Sequence, residues 1–155
     1  MQKITAAGRE YRFNPHGLSE EEQQCVRDVA EETIRETAKI SGGFVERCHF
    51  FSSVGYRFLS AAVARTGMRN PRILGDDANC FDQHYWLAFD VPSGLVYVDP
   101  VGSYVGLGEH ASDVLNTDSE RDRIIAGYYM RRRIRVVDPH KTRDKGGVLL
   151  NTMGI

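Results

Sequence analysis

Cysteine is scarce in this chain: three among 155 residues, at positions 25, 48 and 80. An odd number at wide spacing allows at most one disulfide and leaves a thiol over, which excludes a small domain framed by disulfides. Neither a Cys-x-x-Cys nor a His-x-x-x-His pair occurs, so the usual zinc spacings are missing and no metal or other cofactor is expected. No uninterrupted apolar run approaches the roughly 20 residues of a membrane span. The start, Met1-Gln2-Lys3-Ile4-Thr5, lacks the apolar centre of a secretory signal. The expected location is therefore cytoplasmic, or outside the cell by a route that needs no such signal. Repeats and low-complexity stretches are absent as well. What remains is ordinary for one folded domain over 1–155: 41% apolar and 26% charged residues exclude a disordered chain.

The net charge of -1 hides a division. Residues 1–120 carry 11 Lys and Arg against 18 Asp and Glu, whereas residues 121–155 carry 9 against 3. A basic segment of this kind can bind a nucleic-acid backbone or an acidic partner. It can equally fold back on the acidic body or face solvent. No interleaved aromatic platform accompanies the charge, as single-strand binding requires, so the solvated or folded-back segment is the preferred reading.

Along the chain, residues 2–14 alternate loosely around Ile4, Tyr11 and Phe13, with Ala7-Gly8 as a turn, which fits a short hairpin or an arm. Asn14-Pro15-His16-Gly17 breaks the chain. Ser19-Glu20-Glu21-Glu22 is a capping box, and Val26, Val29, Ala30, Ile34 and Ala38 continue it as a helical stripe up to Ser41-Gly42-Gly43. A second helix is expected from Cys48 to Gly67, with the glycine as a left-handed stop. Phe50, Phe51, Val54, Phe58, Leu59, Ala61, Ala62 and Val63 put apolar residues on most of its faces, which predicts a helix buried in the centre of the domain. Pro71 to Leu74 reads as a strand. His84 to Asp90 and Leu95 to Asp99 form a hairpin around Val91-Pro92-Ser93-Gly94. Farther on, Ser119 to Tyr129 fits a helix, since Ser119-x-x-Asp122 imitates a capping box, and Arg132 to Val137 and Val148 to Asn151 fit strands.

Three residues in this frame suit nucleophilic catalysis. Cys48 opens the second helix, where amide dipoles favour a thiolate. His84 opens the hairpin and Asp99 closes it. If Asp90 faces Leu95, His84 faces Val101 and Asp99 is its diagonal neighbour on one sheet face, within reach of two polar side chains. Another loop length would turn Asp99 to the opposite face. Each residue also has a plainer reading: a buried cysteine, a strand-end histidine, and a turn former before Pro100.

The order Cys48, then His84-Tyr85-Trp86, then Val98-Asp99-Pro100 resembles the transglutaminase-like core. Asp99-Pro100-Val101-Gly102 resembles, more loosely, the Asp-Pro ending of papain-like bacterial effector proteases. Arg47-Cys48, a helix, Gly67 and His84-Tyr85-Trp86 are similar to the leader-peptide proteases of lasso-peptide biosynthesis. The resemblance spans residues 44–104 and implies an α+β fold in which a central buried helix carrying the nucleophile packs on an antiparallel sheet, with a core at about 19–104. It implies a Cys-His-Asp triad and acyl transfer on amide bonds of a peptide or protein. His49 departs from the pattern, where a smaller or apolar residue is usual, and no papain-style Gln precedes Cys48. Gln23, Gln24, Asn79 or Gln83 could supply the oxyanion donor beside the Cys48 amide, and Trp86 could be core or cleft wall.

Cysteine peptidase is the first expectation, because so short a chain has little room for a second substrate site. A transglutaminase or protein glutamine deamidase with the same triad is the alternative, and a non-catalytic module binding through residues 121–155 is the rival from another class. Cys80 with His84 is a rival nucleophile and base, or a pair of metal ligands whose neighbours Asp76, Asp77 and Asp82 offer only hard oxygens. His16, His110 and His140 read as solvent-facing.

Overall fold

The computed structural model describes residues 2–41, 48–75, 84–130 and 134–138, with the side chains of 41 and 48–53 outside the description. One seven-stranded sheet organises them. Its strands are β1 (Gln2–Ala6), β2 (Arg9–Asn14), β3 (Arg69–Gly75), β4 (Tyr85–Val91), β5 (Gly94–Asp99), β6 (Tyr104–Leu107) and β7 (Arg135–Val137), in the order β1-β2-β6-β5-β4-β3-β7. All neighbours are antiparallel except β2 and β6. Helices α1 (Glu20–Ser41) and α2 (Cys48–Ala64) cover one face; the 3-10 helix Gly108–Asp113 and helix α3 (Glu120–Tyr129) cover the other. The fold is therefore mixed α+β.

Alternation decides which side chains meet which layer. Tyr85, Leu87, Phe89 and Val91 of β4, with Val96 and Val98 of β5, point to α1 and α2. Trp86 and Ala88, with Tyr97, point to the α3 side. Both sheet faces are thus buried, which explains a hairpin apolar at nearly every position. Val91 pairs with Gly94 around a two-residue Pro92-Ser93 turn, one step tighter than a closing Asp90–Leu95 pair but in the same register, because Asp90 still faces Leu95.

Helix α1 begins as its sequence predicts. The Ser19 hydroxyl accepts from the Glu22 amide at 3.1 Å, and Glu22 Oε1 accepts from the Ser19 amide at 2.8 Å. The Glu22 carboxylate also accepts from the Ser93 amide and hydroxyl, at 2.8 and 2.6 Å, fastening the helix start to the β4–β5 turn. Its buried stripe is wider than the aliphatic residues alone suggest, because Thr33 and Thr37 lie at 0% exposure between them. Their hydroxyls donate to the carbonyls of Val29 and Thr33, so burial leaves neither unsatisfied.

Helix α2 departs from the sequence reading twice. It ends at Ala64, and Gly67 has no positive φ. Thr66 makes the stop: its hydroxyl donates to the Val63 carbonyl at 2.7 Å and accepts from the Met68 amide at 3.0 Å. Nor is α2 central over its described side chains. Val54, Leu59, Ala62 and Val63 are buried, whereas Arg57, Ala61 and Ala64 are exposed. Among the described residues only α1 and the sheet pack on it, and small outer residues such as Ala61 raised its apolar content without needing burial.

The chain after β5 holds strand β6 and the 3-10 helix, neither of which the sequence pattern predicted. The N-terminal segment is the expected hairpin, with Ala7 and Gly8 both at positive φ in its turn. Helix α3 starts at the Ser119 cap, whose hydroxyl accepts from the Asp122 amide. Of the two strands predicted in the tail, the described part of the first is β7; Val148 to Asn151 lies outside the described residues. No described helix is long and apolar enough to cross a membrane.

Candidate active site

His84 immediately precedes β4, and Asp99 is the last residue of β5. The hairpin register makes them diagonal neighbours on the α3 face, and both are buried, at 3% and 0% exposure. Nε2 of His84 lies 2.6 Å from Oδ2 of Asp99. An ionised carboxylate can only accept, so Nε2 carries the hydrogen and Nδ1 is the basic ring nitrogen. Trp86 stacks on the imidazole with centroids 5.4 Å apart, and Tyr128 packs against it at 5.1 Å.

Asp99 is the hub. Its Oδ2 also accepts from the Tyr129 hydroxyl at 2.5 Å, and Oδ1 accepts from the Gly102 amide at 3.0 Å. Burial pushes the Asp99 carboxyl upward, but the adjacent His84 and the hydrogen bonds from His84, Tyr129 and Gly102 outweigh it and hold the group below the usual carboxylate range. Burial, followed by the charge of Asp99, pushes the Tyr129 phenol well above its ordinary value. The phenol therefore stays a donor.

Local structure explains the close fit. The turn Asp99-Pro100-Val101-Gly102 brings the Gly102 amide back to the carboxylate, and the Ser103 amide to the Pro100 carbonyl. A Cβ on Gly102 would lie 2.6 Å from Asp99 Oδ2 and 2.9 Å from Ile125, so only glycine fits between carboxylate and α3. Arg12 holds the same turn from outside. Its guanidinium donates to the carbonyls of Gly102, Ser103 and Val114 and, at 2.7 and 3.0 Å, to both oxygens of Asp122. Strand β2, the Asp99 turn and α3 are thereby tied to one side chain.

The expected nucleophile is placed at the level of the backbone. Cys48 is the first residue of α2, and the short link 65–68 leads from that helix into β3. Helix and strand are each roughly 23–25 Å long, and α2 packs along β3 and β4, so they run antiparallel. The start of α2 therefore lies at the sheet end where β3 finishes and β4 begins, the end occupied by His84. The body of α2 covers the opposite sheet face from the His84 ring. The Cys48 side chain, and Asn79, Cys80 and Gln83 altogether, lie outside the described residues.

Other expected residues separate clearly. Gln23 and Gln24 sit at the start of α1 beside the β4–β5 turn, the sheet end remote from His84; Gln23 donates to the Leu18 carbonyl and Gln24 to Asp28. Neither reaches the His84–Asp99 pair. Trp86 is fully buried, and its Nε1 has no hydrogen-bond partner among the described residues. Cys25 is free and half-buried; burial first, then Asp28, Glu21 and Glu22, push its thiol upward. Tyr129 was the residue missed. The Tyr128-Tyr129 pair closing a short predicted helix was the available signal, but a helix end carries no hint of its partner. Tyr129 also lines a cavity of about 300 Å³ between the 3-10 helix and α3, which His84 and Asp99 do not line.

Comparison with known proteins finds no matching family model, no matching curated protein and no matching solved structure.

Proposed function

We propose that this chain is a thiol-dependent acyl-transfer enzyme acting on amide bonds of a peptide or protein, a cysteine peptidase in its simplest form. The observation that carries the reading is the buried His84–Asp99 pair, with its carboxylate held ionised by three donors at the sheet end where α2 begins with a cysteine. A purely structural histidine needs no ionised partner in the core, and burying a carboxylate is costly unless something requires it. The papain-like or transglutaminase-like resemblance supplies the same three residues in the same order.

In this mechanism the Cys48 thiol gives its proton to Nδ1 of His84, and the sulfur attacks the amide carbonyl carbon. The imidazolium, steadied by Asp99, returns that proton to the departing nitrogen as the carbon–nitrogen bond breaks. A thioester and a free amine result. Water then loses a proton to Nδ1 and attacks the thioester, yielding a carboxylic acid and restoring the thiol. Ammonia as leaving group makes the same cycle a glutamine deamidation; an amine in place of water makes it a transamidation. The α2 body and the His84 ring are on opposite sheet faces, so this mechanism requires the thiol to meet Nδ1 around the end of the β3–β4 pair. The Cys48 amide and a side chain from Asn79 or Gln83 are the candidate oxyanion donors.

Incubating the chain with a mixed peptide pool and reading cleaved and deamidated products by mass spectrometry tests the reading. Products that vanish in Cys48→Ala and His84→Ala support it; products unaffected by both variants refute it.

A further inference from the structure

The sequence offers no metal-ligand spacing, yet the fold brings His16 together with His110 and Asp113, residues that follow it by 94 and 97 positions in the chain. His16 lies in the turn after β2, and His110 and Asp113 lie in the 3-10 helix after β6. Far from being simply solvent-facing, the His110 side chain is only 28% exposed. The two imidazoles stack with centroids 3.9 Å apart, and Nδ1 of each approaches the same Asp113 oxygen: His16 by a hydrogen bond, His110 at 3.7 Å. One ligand atom from each of the three residues lies within 4.8 Å of the others.

The backbone beneath them is fastened rigidly. Asn14, buried at 3% exposure, donates through Nδ2 to the His110 carbonyl at 2.8 Å and accepts at Oδ1 from the His16 amide at 3.1 Å. One amide side chain thus sets the distance between both histidine-bearing segments. Gly17, at φ +82°, lets them approach: a Cβ there would lie 2.7 Å from Leu107 and 3.1 Å from the His110 ring. Glu109 stands 3.9 Å from Nε2 of His110 on the open side.

We propose that His16, His110 and Asp113 bind one divalent transition-metal ion, with zinc the best match, clamping the turn after β2 to the 3-10 helix. Two imidazoles and one carboxylate suit zinc, cobalt or nickel, at zinc–nitrogen distances of about 2.0–2.1 Å. Closing the ligands onto an ion requires turning His16, whose side chain is 61% exposed, off its stack on His110. The ion replaces an exposed His16–Asp113 pair, which by itself contributes little. The remaining coordination positions face solvent. The site lies at the sheet end opposite His84 and Asp99, so it is independent of the proposed acyl transfer: His110 follows β6 just beyond Leu107, the partner of Val96.

Equilibrium titration of the chelator-stripped full chain with Co²⁺ and Zn²⁺ tests this, compared with His16→Ala and Asp113→Ala. Both substitutions fall at exposed positions, with side-chain exposures of 61% and 40%. The subtraction also removes any ion taken up by the cysteines. The expected result is one ion more per parent chain than per variant chain, without sulfur-to-cobalt charge-transfer absorption in the difference spectrum, and a melting temperature raised by zinc in the parent alone. Equal stoichiometry and affinity in the parent and both variants would overturn the proposal, as would a difference spectrum carrying the thiolate absorption.

Discussion

His84 and Asp99 share a hydrogen bond of 2.6 Å between Nε2 and Oδ2, and the same oxygen takes the Tyr129 hydroxyl at 2.5 Å. The carboxylate is thus claimed from the hairpin and from α3 at once. Orientation of the imidazole depends on a helix some thirty residues away in sequence. In the proposed mechanism Tyr129 is accordingly a positioning residue, acting on His84 through Asp99 and through Trp86, whose ring it meets at 5.0 Å.

Tyr129→Phe removes that donor and keeps the ring. A hydrogen bond to a charged group contributes about 1.5–3 kcal/mol, and its loss should appear partly as stability and partly as rate. The expected result is a fall in kcat/KM of about tenfold, with the thiol-alkylation rate of Cys48 reduced in parallel. A melting-temperature drop with unchanged alkylation and turnover would make Tyr129 merely structural.

Asp99→Asn leaves the shape and removes the charge. Without the carboxylate the imidazolium loses its counter-ion and its tautomer is no longer enforced, for which losses on the order of 10²–10⁴ in kcat are typical of triads. Circular dichroism should show the fold retained. Near-normal turnover in a folded variant would contradict the assigned role.

Glu22 predicts the acid behaviour of the fold. Burial pushes its carboxyl up, but hydrogen bonds from Ser93 and Ser19 prevail and hold it down at about 2. A depressed carboxyl adds stability that is fully present above its unfolded value near 4.5 and is lost as pH falls through about 2. Denaturant unfolding across that window should therefore show the parent weakening with acid, and Glu22→Gln should flatten the slope while lowering stability at neutral pH. An identical pH slope in both proteins would contradict this assignment.

Arg12→Ala strands the Asp122 carboxylate and frees the Asp99 turn. With side-chain exposures of 22% and 11%, the pair is largely desolvated, and losing one partner should cost about 3 kcal/mol. The double variant Arg12→Met with Asp122→Leu should recover part of that loss, measurable by urea unfolding. Arg12→Lys should not recover it, since an ammonium cannot serve three carbonyls and both carboxylate oxygens in one plane.

Local signals made the β4–β5 hairpin, the α1 and α3 caps and the Asp99–His84 diagonal legible, because turn chemistry and period-two alternation lie within a few residues. Strand β6 was not legible. Tyr104-Val105-Gly106-Leu107 is short, contains a glycine, and owes its place to parallel pairing with β2 some ninety residues earlier. Tyr129 on Asp99, Arg12 on Asp122 and His16 beside His110 share that origin: each pair is created by packing between elements distant in sequence, which no window of sequence contains. The outer face of α2 misled for a different reason, since small residues score as apolar whether or not anything covers them.

The most direct test of a Cys48–His84–Asp99 triad is the second-order rate of Cys48 alkylation by iodoacetamide as a function of pH, read by peptide mapping. The expected result is rapid labelling of Cys48 near neutral pH, sparing Cys25 with its raised thiol, and a collapse of that rate in His84→Ala. Labelling of Cys48 no faster than an unperturbed thiol, and indifferent to His84, would contradict it.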